Sequence, residues 1–579
     1  MAPTDQLQEV KIMLHGTAAS EGIGIGKVML IEEHSLEYTP RTVTDTEAES
    51  QRFKAAVDAF CYNTEKQAEN LRSSAGEKEA EILAGHIQII KDPYLSGEIE
   101  KLIADGQCAE SALEHMCDMF IAMFSAADDE LTKQRAADVR DIKSGVLGIL
   151  LGVNEIKVSD APKGTVLVAR ELTPSVTAGI VKENIAGIIT ETGGTTSHSA
   201  ILARALEIPA VLSVDGVASS LKNGDTVVVD GSEGAVIVNP DDNTVSEYSK
   251  KRDAFLAERK ELENYRGRET KSASGEVYEL FCNIGKPEDA VKAVDADGEG
   301  VGLFRTEFLF MDRTSIPTED EQFEAYKKAA LILKGKSLII RTLDIGGDKD
   351  IPYLGLEKEE NPFMGFRAIR YCLKNRELFK SQIKAILRAS AFGDVKIMFP
   401  LITTMDELRE GKKLVAECKA DLRNMDINFN ENIQVGVMVE TASAAVIADM
   451  LAKEADFFSI GTNDLTGYTM ACDRGNNDVS YLYSPLQPSV LRMIKRTIEC
   501  GVQNGISVGM CGEAAANKLM IPLLISFGLT EFSVSAPSVL NVRKIISTWT
   551  KEEADRKRTR LNSSHITISY AVICLKKKR

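Results

Sequence analysis

The sequence lacks any apolar run long enough to cross a membrane. A helix needs roughly 20 consecutive apolar residues to span a bilayer, and no stretch of the 579 residues approaches that length. The first residues, MAPTDQLQEVKIML, carry acidic and polar side chains where a signal peptide needs a basic start and an apolar run. We therefore expect a protein that is not inserted in a membrane.

Paired cysteines and excess positive charge are also lacking. The ten cysteines include no CxxC pair and no other spacing typical of a metal site. Scattered thiols are typical of a reducing compartment, so we expect a cytoplasmic protein. Lys and Arg number 69 against 86 Asp and Glu, a net charge of −17. A chain of this sign repels nucleic-acid phosphates, which argues against a nucleic-acid partner.

The chain does have the length and apolar content for several cores, with 44% hydrophobic residues. From about Thr44 to Gly152 apolar residues recur at helical spacing, and Thr44 with Glu47 forms a capping-box pattern. These features predict an all-helical insert over residues 41–152.

The residues on either side of this insert have the composition of an α/β domain. Short β-branched runs alternate with helical patterns over 13–40 and 153–240. The sequence DGSEG predicts a hairpin turn, and the glycines of GIGIG at 22–26 predict a turn beside a strand. The charged segment 241–270 that follows predicts a helical linker.

Residues 271–557 contain eight β-like runs separated by helical patterns, the count and length of a (β/α)8 barrel. The runs are VYELFCN, GVGLFRTEF, SLIIRTLD, VKIMFPL, IQVGVMVE, ADFFSIGTND, ISVGMCGE and EFSVSAP. Nearly every run ends in polar or ionisable residues, and the carboxyl ends of barrel strands line the active site. These residues are Asn283, Arg305, Arg341, Asp344, Glu440, Asn463, Asp464, Cys511 and Glu513.

His198 lies where a strand gives way to a helix, in the sequence GGTTSHSAILAR. Backbone N–H groups at a helix N-terminus attract anions, and a histidine placed there can accept a phosphoryl group. An isolated histidine is more often an ordinary capping residue. Here the two glycines, the Thr and Ser residues and the strand–turn–helix context favour the phosphoryl acceptor.

The predicted barrel mouth collects groups suited to a small phosphorylated acid. Arg305, Arg341 and Arg474 can bind phosphate and carboxylate through bidentate hydrogen bonds. Glu440 and Asp464 are hard oxygen ligands suited to Mg²⁺. A lone arginine or aspartate is more often a salt-bridge partner, but the convergence of five such residues favours a binding site.

Several motifs carry a family resemblance. GGTTSHSAILARALEIPAV resembles the phosphohistidine signature of phosphoenolpyruvate-utilising enzymes, and DFFSIGTNDLTGYTMACDRGN resembles their second signature. With MLHGTAASEGIGIGKVML, RAADVRDI at 135–142 and GVGLFRTEFLFMDR at 300–313, the chain resembles the Enzyme I family of the sugar phosphotransferase system over about residues 13–556.

The resemblance implies a multidomain α/β fold: a helical carrier-docking subdomain inserted in a swivelling α/β phosphohistidine domain, followed by a (β/α)8 barrel that binds phosphoenolpyruvate and forms a homodimer. It implies that His198 takes a phosphoryl group from phosphoenolpyruvate and passes it to a histidine of an HPr-type phosphocarrier protein. Pyruvate is released, and the transfer is the first step of sugar uptake. The implied cofactor is Mg²⁺.

The resemblance also implies roles for individual residues. Thr177 becomes the hydrogen-bond partner of the His198 ring. Cys511, which by itself would be a small buried hydrophobe, becomes the acid that protonates the enolate. The phosphoenolpyruvate-binding residues become Arg305, Arg341, Arg367, Asn463 and Arg474. The Mg²⁺ ligands become Glu440 and Asp464.

Two alternatives and two departures from the family pattern remain. The first departure is that about twelve residues precede Met13, where the family usually begins, so Met13 is a candidate for the true start. A pyruvate–phosphate dikinase or phosphoenolpyruvate synthase shares these motifs but needs a large ATP-binding domain ahead of them, and no GxxxxGK[ST] loop occurs. A non-catalytic carrier-binding module would lack the barrel arginines and carboxylates. Residues 558–579 do not resemble the family's ending, and the uncharged, β-branched stretch 566–575 has the composition of an aggregation-prone strand. We expect this tail to be poorly packed.

Overall fold

The computed structural model describes residues 12–31, 36–74, 77–126, 130–153, 158–172, 174–177, 180–194, 197–311, 313–346, 351–473 and 476–563. The chain divides into two compact units, residues 1–259 and residues 260–579. None of the helices in the described residues combines the length and apolar character that crossing a membrane requires.

The first unit contains an eight-stranded mixed sheet with the strand order β1-β8-β7-β3-β4-β5-β6-β2. The strands are β1 (Ile12–His15), β2 (Thr17–Ser20), β3 (Ile23–Ile31), β4 (Thr165–Ala169), β5 (Ile185–Thr190), β6 (Ala210–Leu212), β7 (Thr226–Asp230) and β8 (Ala235–Val238). The central strands β3, β4, β5 and β6 are parallel to one another, and the other pairings are antiparallel.

The sheet is buried on both faces. Along β4, Val166 and Val168 enter one apolar core, whereas Leu167 and Ala169 enter another on the opposite face. Because successive side chains of a strand point to opposite faces, a strand covered on both sides reads as a continuous apolar run. This explains the short β-branched runs of the sequence.

One turn prediction for this sheet is confirmed and another holds in part. The predicted DGSEG turn joins the antiparallel strands β7 and β8, and Asp230 Oδ1 accepts hydrogen bonds from the backbone N–H groups of Ser232 and Glu233. In the GIGIG segment, Gly22 lies in a bend with a φ of 121° directly before β3, whereas the residues from Ile23 onward belong to that strand. A Cβ at Gly24 would lie 2.0 Å from a backbone carbonyl oxygen, so glycine is required there for close packing.

The helical insert comprises α1 (Thr46–Ser74), α2 (Glu77–Ile90), α3 (Pro93–Ala104), α4 (Ala109–Ser125) and α5 (Glu130–Leu151). Their apolar faces share one core that includes Phe53, Ile99, Leu113 and Val146. The predicted capping box at Thr44 is wrong, because α1 begins two residues later and the carboxylate of Asp45 accepts the Ala48 N–H at 3.0 Å. Aspartate at the N-cap position satisfies a helix N–H group that has no partner within the helix.

Among the described residues of the first unit, four further α-helices follow the insert. They are α6 (Pro174–Thr177), α7 (His198–Leu206), α8 (Val217–Ser220) and α9 (Asp242–Leu262). Helix α9 covers much of the predicted linker 241–270, and the division between the two units falls within it. The domain boundaries proposed from the sequence remain predictions.

The second unit contains a closed barrel of eight parallel strands. These are β9 (Glu279–Ile284), β10 (Gly300–Arg305), β11 (Ser337–Arg341), β12 (Val395–Phe399), β13 (Val435–Val439), β14 (Phe457–Ile460), β15 (Ser507–Met510) and β16 (Glu531–Val534). Closure comes from the pairing of β16 with β9, with Phe532 opposite Leu280. All eight predicted runs form strands, which confirms the (β/α)8 fold.

Helices of this unit surround the barrel and build its outer core. They are α10 (Asp289–Asp295), α11 (Glu319–Leu333), α12 (Ala368–Lys374), α13 (Arg376–Ala389), α14 (Met405–Asn424), α15 (Ala442–Val446), α16 (Ala448–Leu451), α17 (Thr462–Met470), α18 (Pro488–Gln503), α19 (Ile521–Phe527), α20 (Val539–Ser547) and α21 (Lys551–Ser563). Thr318 and Thr404 open α11 and α14 with reciprocal capping boxes. Helix α21 continues past residue 558, and the predicted aggregation-prone stretch 566–575 lies outside the described residues.

The base of the barrel contains a buried carboxyl group. Glu531 opens strand β16 and is 5% exposed. Its Oε1 atom has no hydrogen-bond partner within the described part of the chain. Burial, together with repulsion from Glu279, raises the pKa of Glu531 to about 8, against an opposing effect of Lys396. The folded barrel therefore holds a proton that the unfolded chain releases near its ordinary pKa.

This buried acid predicts a pH-dependent stability. As the pH rises from about 4.5 toward 8, the unfolded chain loses its proton first, so the Glu531 contribution to stability is progressively lost. We expect Glu531→Gln to stabilise the barrel by about 1–3 kcal/mol at pH 9 and to change little at pH 4. Calorimetric unfolding at both pH values measures this difference. The control is Glu499→Gln on the exposed face of α18, and an equal effect of both changes would contradict the prediction.

Candidate active site

The carboxyl ends of the barrel strands bring most of the predicted site residues to one rim. Arg305 and Arg341 are the last residues of β10 and β11. Glu440 directly follows β13, and Cys511 directly follows β15. Asp464 lies in the first turn of α17, which follows β14. Because all eight strands run in the same direction, residues far apart in the sequence meet at this rim.

Arginines and carboxylates alternate along the rim in a continuous chain of ion pairs. The Oε1 atom of Glu307 accepts from Arg305 Nε at 3.0 Å and from Arg341 Nη2 at 2.8 Å. Arg341 Nη1 lies 2.9 Å from Asp344 Oδ2. The other oxygen of Asp344, Oδ1, accepts from Arg367 Nη2 at 2.6 Å. Each of the two carboxylates thus connects two guanidinium groups.

Both inner arginines are buried, at 7% exposure for Arg341 and 6% for Arg367. Burial disfavours the charged form of both arginines, but nearby carboxylates outweigh this effect and raise the pKa of both guanidinium groups. For Arg341 these carboxylates are Glu307 and Asp344. For Arg367 they are Asp344 and Asp464. Both arginines therefore stay positively charged.

These arginines retain unused donors. Among the residues that the structure describes, Arg341 Nε and both Nε and Nη1 of Arg367 have no hydrogen-bond partner. Leaving a buried donor unpaired costs about 1–3 kcal/mol. Three such donors on two cationic side chains are suited to an anionic ligand with several oxygen atoms.

Three carboxylates lie together beside the arginines. Asp344, Glu440 and Asp464 each offer an oxygen, and these atoms lie within 4.8 Å of one another. Burial, and then repulsion from Asp464 and Asp344, raises the pKa of Glu440. A divalent cation bound among these hard oxygen ligands would relieve that repulsion, so the three residues fit a metal ion.

The backbone around these groups is held in uncommon conformations. Leu401 has a φ of 54°, and its N–H donates to Glu440 Oε1 at 2.7 Å. Ala368, directly after Arg367, has a φ of 52°. Left-handed φ values cost energy for residues other than glycine and cluster at functional sites. Both positions therefore support the interpretation of this rim as a site.

Cys511 is a buried residue of the rim, with 6% exposure. Its Sγ atom is 3.8 Å from the carbonyl oxygen of Ile460, and its own carbonyl accepts from Asn283 Nδ2 at 3.0 Å. Burial raises the pKa of the thiol to about 12. The thiol therefore keeps its proton at neutral pH and can act as an acid.

The two remaining predicted ligands are only partly accounted for. Asn463 is half-buried in the first turn of α17, and its carbonyl oxygen accepts from the hydroxyl of Tyr483 at 3.0 Å. Arg474 lies outside the described residues, so its predicted role is untested.

His198 opens helix α7 in the first unit. The preceding Ser197 caps the helix, with Oγ accepting the Ala200 N–H at 3.3 Å. Ser199 donates to the Leu172 carbonyl oxygen at 3.4 Å, and helix α6, which ends at the buried Thr177, contacts α7. The predicted helix start at His198 is confirmed. The His198 side chain lies outside the described atoms, so its hydrogen bond with Thr177 stays a prediction.

Sequence reasoning missed two parts of this site. Glu307 has no role in the sequence interpretation, although it lies two residues after Arg305 in the run GVGLFRTEF. Asp344 is recognised only as a polar strand-end residue. The ion pairs that define the roles of Glu307 and Asp344 depend on distances between strands, which the sequence does not give. The sequence feature that could have indicated these roles is the position of both residues just after the carboxyl end of a strand.

Three models of phosphoenolpyruvate-utilising enzymes match the chain. The N-terminal model matches residues 15–135, the mobile-domain model residues 161–234 and the PEP-binding-domain model residues 259–550. The phosphoenolpyruvate-protein phosphotransferase of Bacillus subtilis is 46% identical over 97% of this chain and 98% of its own length. That of Geobacillus stearothermophilus is 47% identical over 94% of both chains.

A solved structure is also similar to part of the chain. The solution structure of an Enzyme I protein, nEIt, is 37% identical and covers 42% of this chain and 99% of its own, with a TM-score of 0.38.

The acidic group generates a test of cation binding. Glu440→Gln or Asp464→Asn removes one anionic oxygen ligand, so we expect each change to weaken Mn²⁺ binding by about 10- to 100-fold. Electron paramagnetic resonance of free Mn²⁺ measures the affinity. Asp449→Asn, an exposed acid on α16, is the matched control. Unchanged affinity in both rim variants would rule out the site.

Proposed function

The chain belongs to the phosphoenolpyruvate-protein phosphotransferases, the Enzyme I family, and we propose that it uses His198 to carry the phosphoryl group. The enzyme transfers the phosphoryl group of phosphoenolpyruvate to a phosphocarrier protein of the sugar phosphotransferase system. The observation that supports phosphoenolpyruvate binding at the barrel rim is the pair of buried arginines, three of whose donor atoms have no hydrogen-bond partner among the described residues.

The substrate chemistry matches this rim. Phosphoenolpyruvate presents a phosphate and a carboxylate, two anionic groups that need several N–H donors. We assign them to Arg305, Arg341, Arg367, Asn463 and Arg474. Glu307 and Asp344 hold Arg341 from two sides, which lowers the entropy lost when the guanidinium group binds the substrate.

Glu440 and Asp464 are the proposed ligands of Mg²⁺. When bound there, the ion supplies positive charge that neutralises phosphate oxygens. Each carboxylate contacts another group of the rim. Glu440 accepts a hydrogen bond from the Leu401 N–H, and Asp464 lies 3.9 Å from Arg367. These contacts hold the two acids in place.

The transfer itself needs positioning and charge neutralisation more than covalent help. A neutral ring nitrogen of His198 attacks phosphorus while the bond from phosphorus to the enol oxygen breaks, and its electron pair stays on the enolate. The arginines stabilise the charge on the transferred group. The Cys511 thiol then gives its proton to the methylene carbon of the enolate, which yields pyruvate.

The second half of the reaction takes place away from the barrel. Phosphorylated His198 passes its group to a histidine of an HPr-type phosphocarrier protein, and we assign carrier docking to the helical insert, residues 41–152. His198 and the rim residues belong to different units, so the reaction requires them to meet during loading and to separate for delivery. We also propose a homodimer through the barrel and a cytoplasmic location.

The decisive experiment replaces His198. We expect His198→Ala to abolish acid-labile phosphorylation by labelled phosphoenolpyruvate, because the attacking nitrogen is gone. Binding of the non-transferable anion phosphoglycolate should persist, since its ligands belong to the barrel. His115→Ala, an exposed histidine of α4, is the control. Acid-labile phosphate at the wild-type level in His198→Ala would refute the assignment.

The separation of the two half-reactions is a further prediction. Arg305→Ala removes charge-assisted hydrogen bonds worth about 1.5–3 kcal/mol, so loading of His198 should fall by about 10- to 100-fold. Delivery from already phosphorylated His198 to the carrier should be unchanged. Rapid-quench kinetics of each half-reaction measure the two rates, with Arg376→Ala, an exposed arginine of α13, as control. Equal slowing of both steps would contradict the separation.

A further inference from the structure

Asp344 is the point at which two groups of charges meet. Its Oδ2 and Oδ1 atoms pair with Arg341 and Arg367, at 2.9 Å and 2.6 Å. The same carboxylate belongs to the acidic group with Glu440 and Asp464. Within the described residues, no other carboxylate of that group lies so close to either arginine, since the next distance is 3.9 Å, from Arg367 to Asp464.

We propose that Asp344 is a positioning residue that couples cation binding to anion binding at the barrel mouth. The inference rests on the proposed function, because it needs a cation and a phosphorylated acid to share this rim. No family motif assigned a role to Asp344, and its position between two arginines and two acids carries the argument.

The coupling has a simple electrostatic origin. Without a cation, Asp344 occupies one N–H group of each arginine and offsets part of their positive charge, which weakens their attraction for an anion. Asp344 is 8% exposed, so water screens these interactions poorly. A cation among the three carboxylates offsets the Asp344 charge, and the two guanidinium groups then present more positive charge to the anion.

The unpaired donors make this arrangement a preformed one. Arg341 Nε and Arg367 Nε and Nη1 lack partners among the described residues, whereas Arg341 Nη1 and Arg367 Nη2 pair with Asp344. An anion that engages these buried donors would leave both Asp344 ion pairs in place. Asp344 then acts through its negative charge and by orienting the two guanidinium groups. Thermodynamic linkage requires that the cation raise the affinity for the anion by the same factor as the anion raises the affinity for the cation.

This mechanism predicts opposite effects of one substitution on two ligands. Asp344→Asn keeps the shape of the side chain and removes its charge. Mn²⁺ binding should weaken by about 10- to 100-fold. Phosphoglycolate binding without a cation should strengthen by a few fold, about two- to fivefold, because the arginines lose a competing negative charge. The factor by which Mn²⁺ improves phosphoglycolate binding should fall in the variant.

Asp449→Asn is the matched control. Asp449 is an exposed acid on α16 and lies outside the acidic group. It should therefore leave Mn²⁺ affinity within about twofold of wild type, because solvent and salt screen exposed charges. Asp344→Ser, which is smaller and also uncharged, provides a second variant if the asparagine protein does not fold, and circular dichroism checks the fold of each protein.

Isothermal titration of the full chain with Mn²⁺, with phosphoglycolate and with each in the presence of the other gives all four affinities. Weaker phosphoglycolate binding to Asp344→Asn without a cation would show that Asp344 only holds the arginines in place and would overturn the coupling. Unchanged Mn²⁺ affinity would also overturn it. If the wild-type chain binds neither Mn²⁺ nor phosphoglycolate, the proposed function itself is refuted. If the wild-type chain binds both and Asp344→Asn has the same affinities, this inference alone is refuted.

Discussion

Two guanidinium groups removed from water set the requirements for the barrel mouth. A buried charge is tolerated only where opposite charges and hydrogen bonds compensate it. Glu307 and Asp344 provide that compensation for Arg341, and Asp344 extends it to Arg367. Three donor atoms of these arginines stay unpaired among the described residues. The carboxylates thus compensate the positive charges without using every N–H donor. The local geometry of the rim follows from that balance.

The barrel interior makes this arrangement possible. Below the rim, Leu303, Met398 and Met438 form an apolar layer with Cys511 inside the barrel. This layer keeps water away from the buried ends of the arginines and raises the pKa of the thiol to about 12. The same apolar interior also makes Glu531 at the base unusual, because among the described residues Lys396 alone offsets its charge.

Much of this structure was predictable because it follows from periodicity. Eight apolar runs with polar ends predict eight parallel strands, and parallel strands place Arg305, Arg341, Glu440 and Cys511 on one rim. Oxygen chemistry identifies Glu440 and Asp464 as candidate cation ligands. The helix start at His198 follows from its glycines and hydroxyl residues.

The parts that were not predictable depend on distances that spacing does not encode. Glu307 and Asp344 are ordinary acids in the sequence and gain their roles only where neighbouring strands bring arginines within hydrogen-bond range. Glycines in β3 resemble turn residues, yet they allow close approach to a neighbouring backbone. Asp45 rather than Thr44 caps α1, since capping depends on one residue of register.

The first sheet has a consequence for how such a protein can change over evolutionary time. Strands β3 and β4 are parallel neighbours, with Lys27 opposite Thr165 and Ile31 opposite Ala169. The whole helical insert is therefore the crossover between two adjacent strands. Both ends of the insert are fixed by the pairing of β3 with β4. Its helices can therefore diverge in length and surface without altering the register of the sheet that holds α7. The surface of this insert can thus change in evolution while the strand pairing beneath it stays the same.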